Sequence, residues 1–208
     1  MTAERRALFQ ALGVAVLAAL TGAVAGPLGI LIALALAAWI LRGEAITWAD
    51  IGFGRPPRAV AAQTIVTFVT ALVLTGLLGA LLEGSRIGPP DLGLLEALEG
   101  DLPALLILLA LSWTIAAFGE ELLARGFLLH WLARGFRGVP NGFWLANLSQ
   151  ALLFGLGHAY QGPSGVLLTG FLGFLFGICV RLTGSLWPAI LAHGLINTLT
   201  LVAAYLGG

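Results

Sequence analysis

Residues 103–135 read PALLILLALSWTIAAFGEELLARGFLLHWLARG. Positions 103–119 carry no charge, and then Glu120, Glu121 and Arg125 arrive together. An apolar run of this length suits a membrane span. A charge placed at membrane depth is costly unless something offsets it. The trio is therefore either a helix end reaching water or chemistry inside a membrane.

The rest of the chain gives the context. Of 208 residues, 59% are hydrophobic and only 10% are charged, where a soluble domain carries about a quarter charged residues. The mean hydropathy is +1.01. The composition predicts an integral membrane protein of the all-α class, a polytopic transmembrane helix bundle with its polar site within the membrane. Runs long enough to span a bilayer, or nearly so, lie at about 7–25, 28–41, 60–82, 103–132, 142–158, 165–180 and 186–206. That makes about seven spans, with an eighth as the alternative count. They form a single membrane domain over residues 1–208, with a motif-bearing core at 103–206. GPLG breaks the first span from the second, Pro103 suits the first turn of the fourth, and Ser185 and Pro188 suit the start of the last. The opening MTAERR with its apolar run and AVA is signal-peptide-like. Its length and the apolar run that follows at once favour an uncleaved first span.

A net charge of zero gives no sign of a nucleic-acid partner. The one cysteine, Cys179, cannot form an internal disulfide or a metal site by itself, and reads as a small packing residue. Arg5 and Arg6, then Arg42, Arg55 and Arg58, then Arg134 and Arg137, and finally Arg181 all fall on one side of a seven-span chain. The opposite side holds the acidic EGSRIGPPDLGLLEALEGD and the uncharged AYQGPSG. The bias predicts a cytoplasmic N-terminus and an external C-terminus. Within the acidic stretch, LLEALE at 94–99 reads as a short helix at the interface. The high Gly, Ala and Leu content suggests a prokaryotic cell membrane.

Few strongly polar side chains lie deep in the runs: Glu120, Glu121, Arg125, Asn147, Gln150, His158, His193 and Asn197. Each needs a partner or a job at that depth. Glu121 precedes Arg125 by four residues, the favourable order for an ion pair along a helix. Arg125 is thus expected to neutralise and position Glu121. Glu120 sits about 100° around an α-helix from Glu121 and has no local cation, which makes it the better carboxylate for chemistry. The plain alternative is a salt-bridged helix end.

His158 ends a run in which Asn147, Ala151, Phe154 and His158 share a helix face. His193 and Asn197 share a face of the last run. Taking Trp131, Trp144 and Trp187 as markers of the cytoplasmic interface, Glu120 lies ~16 Å, His158 ~21 Å and His193 ~9 Å below them at 1.5 Å per residue. All fall within the ~30 Å slab. His130, beside Trp131, reads as interfacial. One carboxylate with two histidines is the ligand set of a catalytic zinc site. The same residues also suit a metal-free glutamate base with His and Asn oxyanion donors. Both routes stay open.

In order, Glu-Glu-x-x-x-Arg (Glu120, Glu121, Arg125), Phe-x-x-x-His (Phe154, His158) and His-x-x-x-Asn (His193, Asn197) resemble the CPBP intramembrane proteases. These are also called the type II CAAX prenyl endopeptidase or Abi family. RGF after the first motif and GSLWPAILAHGLINT around the last are similar to the family's wording. The resemblance implies an intramembrane endopeptidase acting on a membrane-associated or lipidated protein or peptide, in contact with membrane lipids. It implies that Glu120 activates water, that His158 and His193 bind metal or polarise the carbonyl, and that Asn197 binds metal or the oxyanion. Glu121, Arg125 and Phe154 would support them. A divalent metal such as zinc would sit on Glu120, His158 and His193 if the enzyme is metal-dependent. The competing readings are a non-catalytic scaffold or bacteriocin-immunity protein that keeps the motifs, and an ion or proton carrier.

Overall fold

The computed structural model of the chain describes residues 1–54 and 56–207. Arg55, one of the arginines assigned to a single side, lies outside the described residues. Seven helices stand at the seven expected positions: α1 Ala3–Ala25, α2 Gly29–Gly43, α3 Val60–Glu83, α4 Leu102–Gly135, α5 Gly142–Gly157, α6 Gly162–Thr183 and α7 Trp187–Tyr205. No strand occurs among the described residues. The chain is an all-α membrane bundle.

Among the described residues, four elements are long and apolar enough to cross a bilayer: α3, α4, α6 with the short turn that precedes it, and α7. The 15 residues of α2 and the 16 of α5 reach only ~22 and ~24 Å, less than the ~30 Å hydrocarbon thickness. The expected short second run is thus seen, and α5 shares its shortness.

Local chemistry sets the helix ends. The Thr2 hydroxyl accepts from Arg5 N at the start of α1. GPLG forms a 3₁₀ turn over Gly26–Leu28, and Gly26 has φ +56°, a value only glycine adopts without strain. The Asp101 carboxylate accepts from Ala104 N at 3.0 Å and caps α4, beside the expected Pro103. Residues Gly93–Leu98 make a 3₁₀ turn where a short interfacial helix is expected.

Adjacent helices alternate in direction, as contacts at the two ends show. At one end, Glu44 after α2 pairs with Arg134 of α4 at 2.7 Å and with Arg6 of α1 at 3.7 Å. There too the Arg181 guanidinium of α6 lies 4.5 Å over the Phe143 ring of α5. At the other end, Asp91 N donates to Gln161 O, Gly100 N to Tyr205 O, and the Ser164 hydroxyl to Gly88 O. The described arginines with these contacts therefore share one end, and the acidic loop 84–101 lies at the other.

Two apolar clusters flank the middle of α4. One joins Ala7, Ala11 and Val14 of α1, Ala33 and Ala37 of α2, and Phe127 and Trp131 of α4. The other joins Ala71 of α3, Phe176 and Cys179 of α6, and Ala189 and Ala192 of α7. Cys179 is 7% exposed within it, the packing role expected of it. Trp131 departs from its expected place in an aromatic belt. It is 0% exposed, stacks on Phe127 at 4.8 Å and donates to Gln10 Oε1 at 2.9 Å. A tryptophan that finds an aromatic partner and a hydrogen-bond acceptor inside the protein has no need of the headgroup layer. Trp187 likewise donates to Gly54 O, and Trp144 stays half-exposed.

Helices α5 and α6 meet most closely at glycines. A Cβ on Gly155 would land on Val166 O and 3.0 Å from Gly170 Cα. Small residues allow such backbone approach where lipid gives no hydrophobic drive to association. Gly155→Val is expected to lower stability by about 1–3 kcal/mol through overpacking, read as a reduced unfolding midpoint in detergent. An unchanged midpoint contradicts this packing.

Candidate active site

The middle of α4 is not α-helical. Ser112–Glu120 and Leu122–Leu128 form π-helix, with Glu121 at the junction. This corrects the α-geometry assumed from the sequence, including the ~16 Å depth of Glu120. π segments bond i to i+5 and occur often at functional sites. Arg125 follows Glu121 by four residues and Glu120 by five. Gly119 and Gly126 keep close neighbours on this segment. Their Cβ atoms would lie 3.1 Å from Ile30 Cγ2 and 3.1 Å from Leu186 Cδ1.

Glu121 is 0% and Arg125 1% exposed. Arg125 Nη1 donates to Glu121 Oε1 at 2.9 Å, the pairing expected from their spacing. The same Oε1 lies 2.9 Å from Nδ1 of His193. An ionised carboxylate can only accept, so the His193 proton is on Nδ1 and Nε2 is the nitrogen left for another partner. The sequence groups His193 with Glu120; in the structure its Nδ1 is taken by Glu121.

The Phe154 ring joins the three motifs. The Arg125 guanidinium stands 4.1 Å from its centroid, His158 is 4.8 Å away, and His193 meets it edge-on at 6.2 Å. A cation on an aromatic face is stabilised further when desolvated. Nδ1 of His158 is 2.9 Å from Phe154 O. A carbonyl also only accepts, so this ring too presents Nε2. The sequence placed these groups at unequal depths, and the fold brings both imidazoles around one phenyl ring.

Glu120 is half-buried. Its Oε2 is enclosed and has no hydrogen-bond partner, as its lack of a local cation anticipates. Both imidazoles, Glu121 and Arg125 lie within electrostatic range of it. Asn197 is half-buried one turn beyond His193. His130 lies further along α4, 5.8 Å from Trp131, outside the Phe154 cluster. Among the described residues, no three His, Cys, Asp or Glu side chains are gathered closely enough to hold a metal ion.

Sequence reasoning gave no role to several residues that shape the site. Phe176 forms the second aromatic wall, its ring centroid 5.5 Å from the Arg125 guanidinium and 5.7 Å from the His193 ring. Trp113 donates to Thr198 Oγ1 at 3.1 Å, and a Cβ on Gly194 would lie 2.6 Å from its indole. Trp113 thus backs the α7 turn that carries His193. Asn147 and Gln150, both 0% exposed, bond to α6 rather than to the histidines. Asn147 Nδ2 donates to Phe174 O and Gln150 Nε2 to Gly173 O. Only the regular recurrence of Gly170, Gly173 and Gly177 hinted at such a close seam.

The site defines a membrane-embedded cluster of one free carboxylate, two oriented imidazoles and a buried ion pair. Residues 102–199, just under half of the chain, match the model of the family described as Type II CAAX prenyl endopeptidase Rce1-like. The segment from α4 through most of α7 is thus similar to this family, the one that the three motifs resemble. No curated protein and no solved structure matches the chain.

Removing one partner of a buried ion pair leaves the other charge unpaired. Arg125→Met is therefore expected to destabilise the protein by about 3–5 kcal/mol. Glu121→Gln/Arg125→Met is expected to cost less than the two single changes added together. Denaturant unfolding in detergent measures both. Additive losses contradict the pairing.

Proposed function

We propose that the chain is an intramembrane endopeptidase in which Glu120 is the general base. The observation that carries this reading is the contrast between two adjacent carboxylates. The Oε2 of each is enclosed without a partner, but Glu121 is committed through Oε1 to Arg125 and His193, whereas Glu120 makes no ion pair among the described residues and lies in electrostatic range of both imidazoles.

In this reading Glu120 takes a proton from water, and the hydroxide attacks the scissile carbonyl carbon. The negative charge that develops on the carbonyl oxygen is met by Asn197 and by an imidazole edge. Such donors are worth about 2.7–4 kcal/mol each where removal has been measured. The proton on Glu120 then passes to the amine nitrogen as the C–N bond breaks. Glu121, Arg125 and Phe154 touch no substrate; they fix the rings. In this reading each step runs through the chain's own groups.

The substrate class is a membrane-associated or lipidated protein or peptide, met from lipid. The orientation that fits the arginine-rich end is cytoplasmic for the start of α1, in a prokaryotic cell membrane.

A peptide ending in a prenylated Cys-aliphatic-aliphatic-X sequence is the assay probe. Glu120→Gln, purified and folded, is expected to lose cleavage by about 10²–10⁴-fold, the usual contribution of a general base. Turnover at the parent rate would refute the assignment. Cleavage is also expected to persist after treatment with a strong chelator. Loss that added zinc restores would replace the glutamate route with a metal one.

A further inference from the structure

The Arg125 guanidinium has a seat built by residues outside the three motifs. A Cβ on Gly173 would lie 2.7 Å from Arg125 Nη2 and 3.1 Å from Phe154 Cδ1. No side chain fits between α6 and this cation. The same glycine's carbonyl accepts from Gln150 Nε2 at 3.0 Å, and Gln150 Nε2 also lies 2.8 Å from Asn147 Oδ1. Asn147 in turn lies against Gly177, where a Cβ would overlap its amide. Two buried amides thus hold the α6 backbone, Gln150 at Gly173 O and Asn147 at the next carbonyl, Phe174 O.

We propose that Gly173 and Gln150 are positioning residues: they seat the Arg125 guanidinium and, through it, hold Glu121 and the His193 ring in register. The proposal rests on the reading above, in that His193 faces substrate.

The chain of contacts is short. Gln150 fixes the Gly173 backbone, and Gly173 leaves room for Nη2. Phe154 and Phe176 wall the guanidinium at 4.1 and 5.5 Å. Nη1 then reaches Glu121 Oε1 at 2.9 Å, and that oxygen orients Nδ1 of His193 at 2.9 Å. A methyl group at position 173 pushes on the cation rather than on a flexible chain end, because two rings and a carboxylate already confine it. The displacement has one outlet, the Glu121–His193 bond. Other close glycines of the α5–α6 seam lack this connection. The atoms nearest a Cβ on Gly155, for example, belong to Val166 and Gly170.

The chain has three histidines, so ring-¹⁵N-histidine spectra of the full-length protein in lipid nanodiscs resolve each ring, assigned by single substitution. Gly173→Ala is expected to shift the His193 ring resonances while those of His130 stay put. In an Arg125→Lys background, which lacks Nη2, Gly173→Ala is expected to add no further shift. Gly155→Ala disturbs the same helix seam and serves as the packing control. It is expected to lower the unfolding midpoint and leave the His193 signals in place. Gln150→Leu removes the bond to Gly173 O and is expected to move His193 in the same direction by less. It decides the matter where Gly173→Ala does not fold. Unchanged His193 signals in these variants, or an equal shift in Gly155→Ala, would overturn the proposal. The spectra need no substrate, so they fail independently of the cleavage test on Glu120.

Discussion

The structure depends on a single oxygen, Oε1 of Glu121. It accepts from Arg125 on its own helix and from His193 on the last helix. Both side chains of the ion pair are fully enclosed. An isolated charge in such a place is costly, and even a paired one gains stability only when its geometry is good and its neighbours help. Here the neighbours are the Phe154 and Phe176 rings and the His193 ring. The pair therefore does more than cancel charge. It ties α4, α5, α6 and α7 to one point and sets the orientation of a ring nitrogen.

That arrangement explains why two identical side chains sit next to each other. Committed to structure, Glu121 cannot also be free for proton transfer. Glu120 has no such commitment, and its Oε2 lies enclosed without a hydrogen bond. Groups kept under-satisfied are expected where function demands them and the rest of the fold compensates. The π turns of α4 carry the ion pair, and the glycines at 119 and 126 admit α2 and the start of α7.

Much of this was legible in the sequence. Hydropathy gave the helix positions to within a few residues, and the arginines named the end they share. The four-residue spacing of Glu121 and Arg125 foretold their bond, and that of Phe154 and His158 foretold that they share a face. What stayed hidden follows from physics that spacing does not carry. The run before Glu120 is apolar on every face and shows no period that would tell a π-helix from an α-helix, so α-geometry was assumed for Glu120. Trp131 looks like any belt tryptophan until Phe127 and Gln10 are seen to enclose it. The partner of His193 depends on packing between distant helices, and residues 120 and 121 were equally plausible by number alone. The roles of Gly173 and Phe176 required knowing that α6 faces the guanidinium.

The central claim is the division of labour between Glu120 and Glu121, and paired unfolding curves of Glu120→Gln and Glu121→Gln in the same detergent test it most directly. Neutralising a group held for chemistry at the expense of stability leaves stability unchanged or raises it, whereas neutralising a group that holds the fold lowers it. The account predicts a midpoint at or above the parent's for Glu120→Gln and a clearly lowered one for Glu121→Gln. Equal destabilisation by both, or a loss confined to Glu120→Gln, would contradict it.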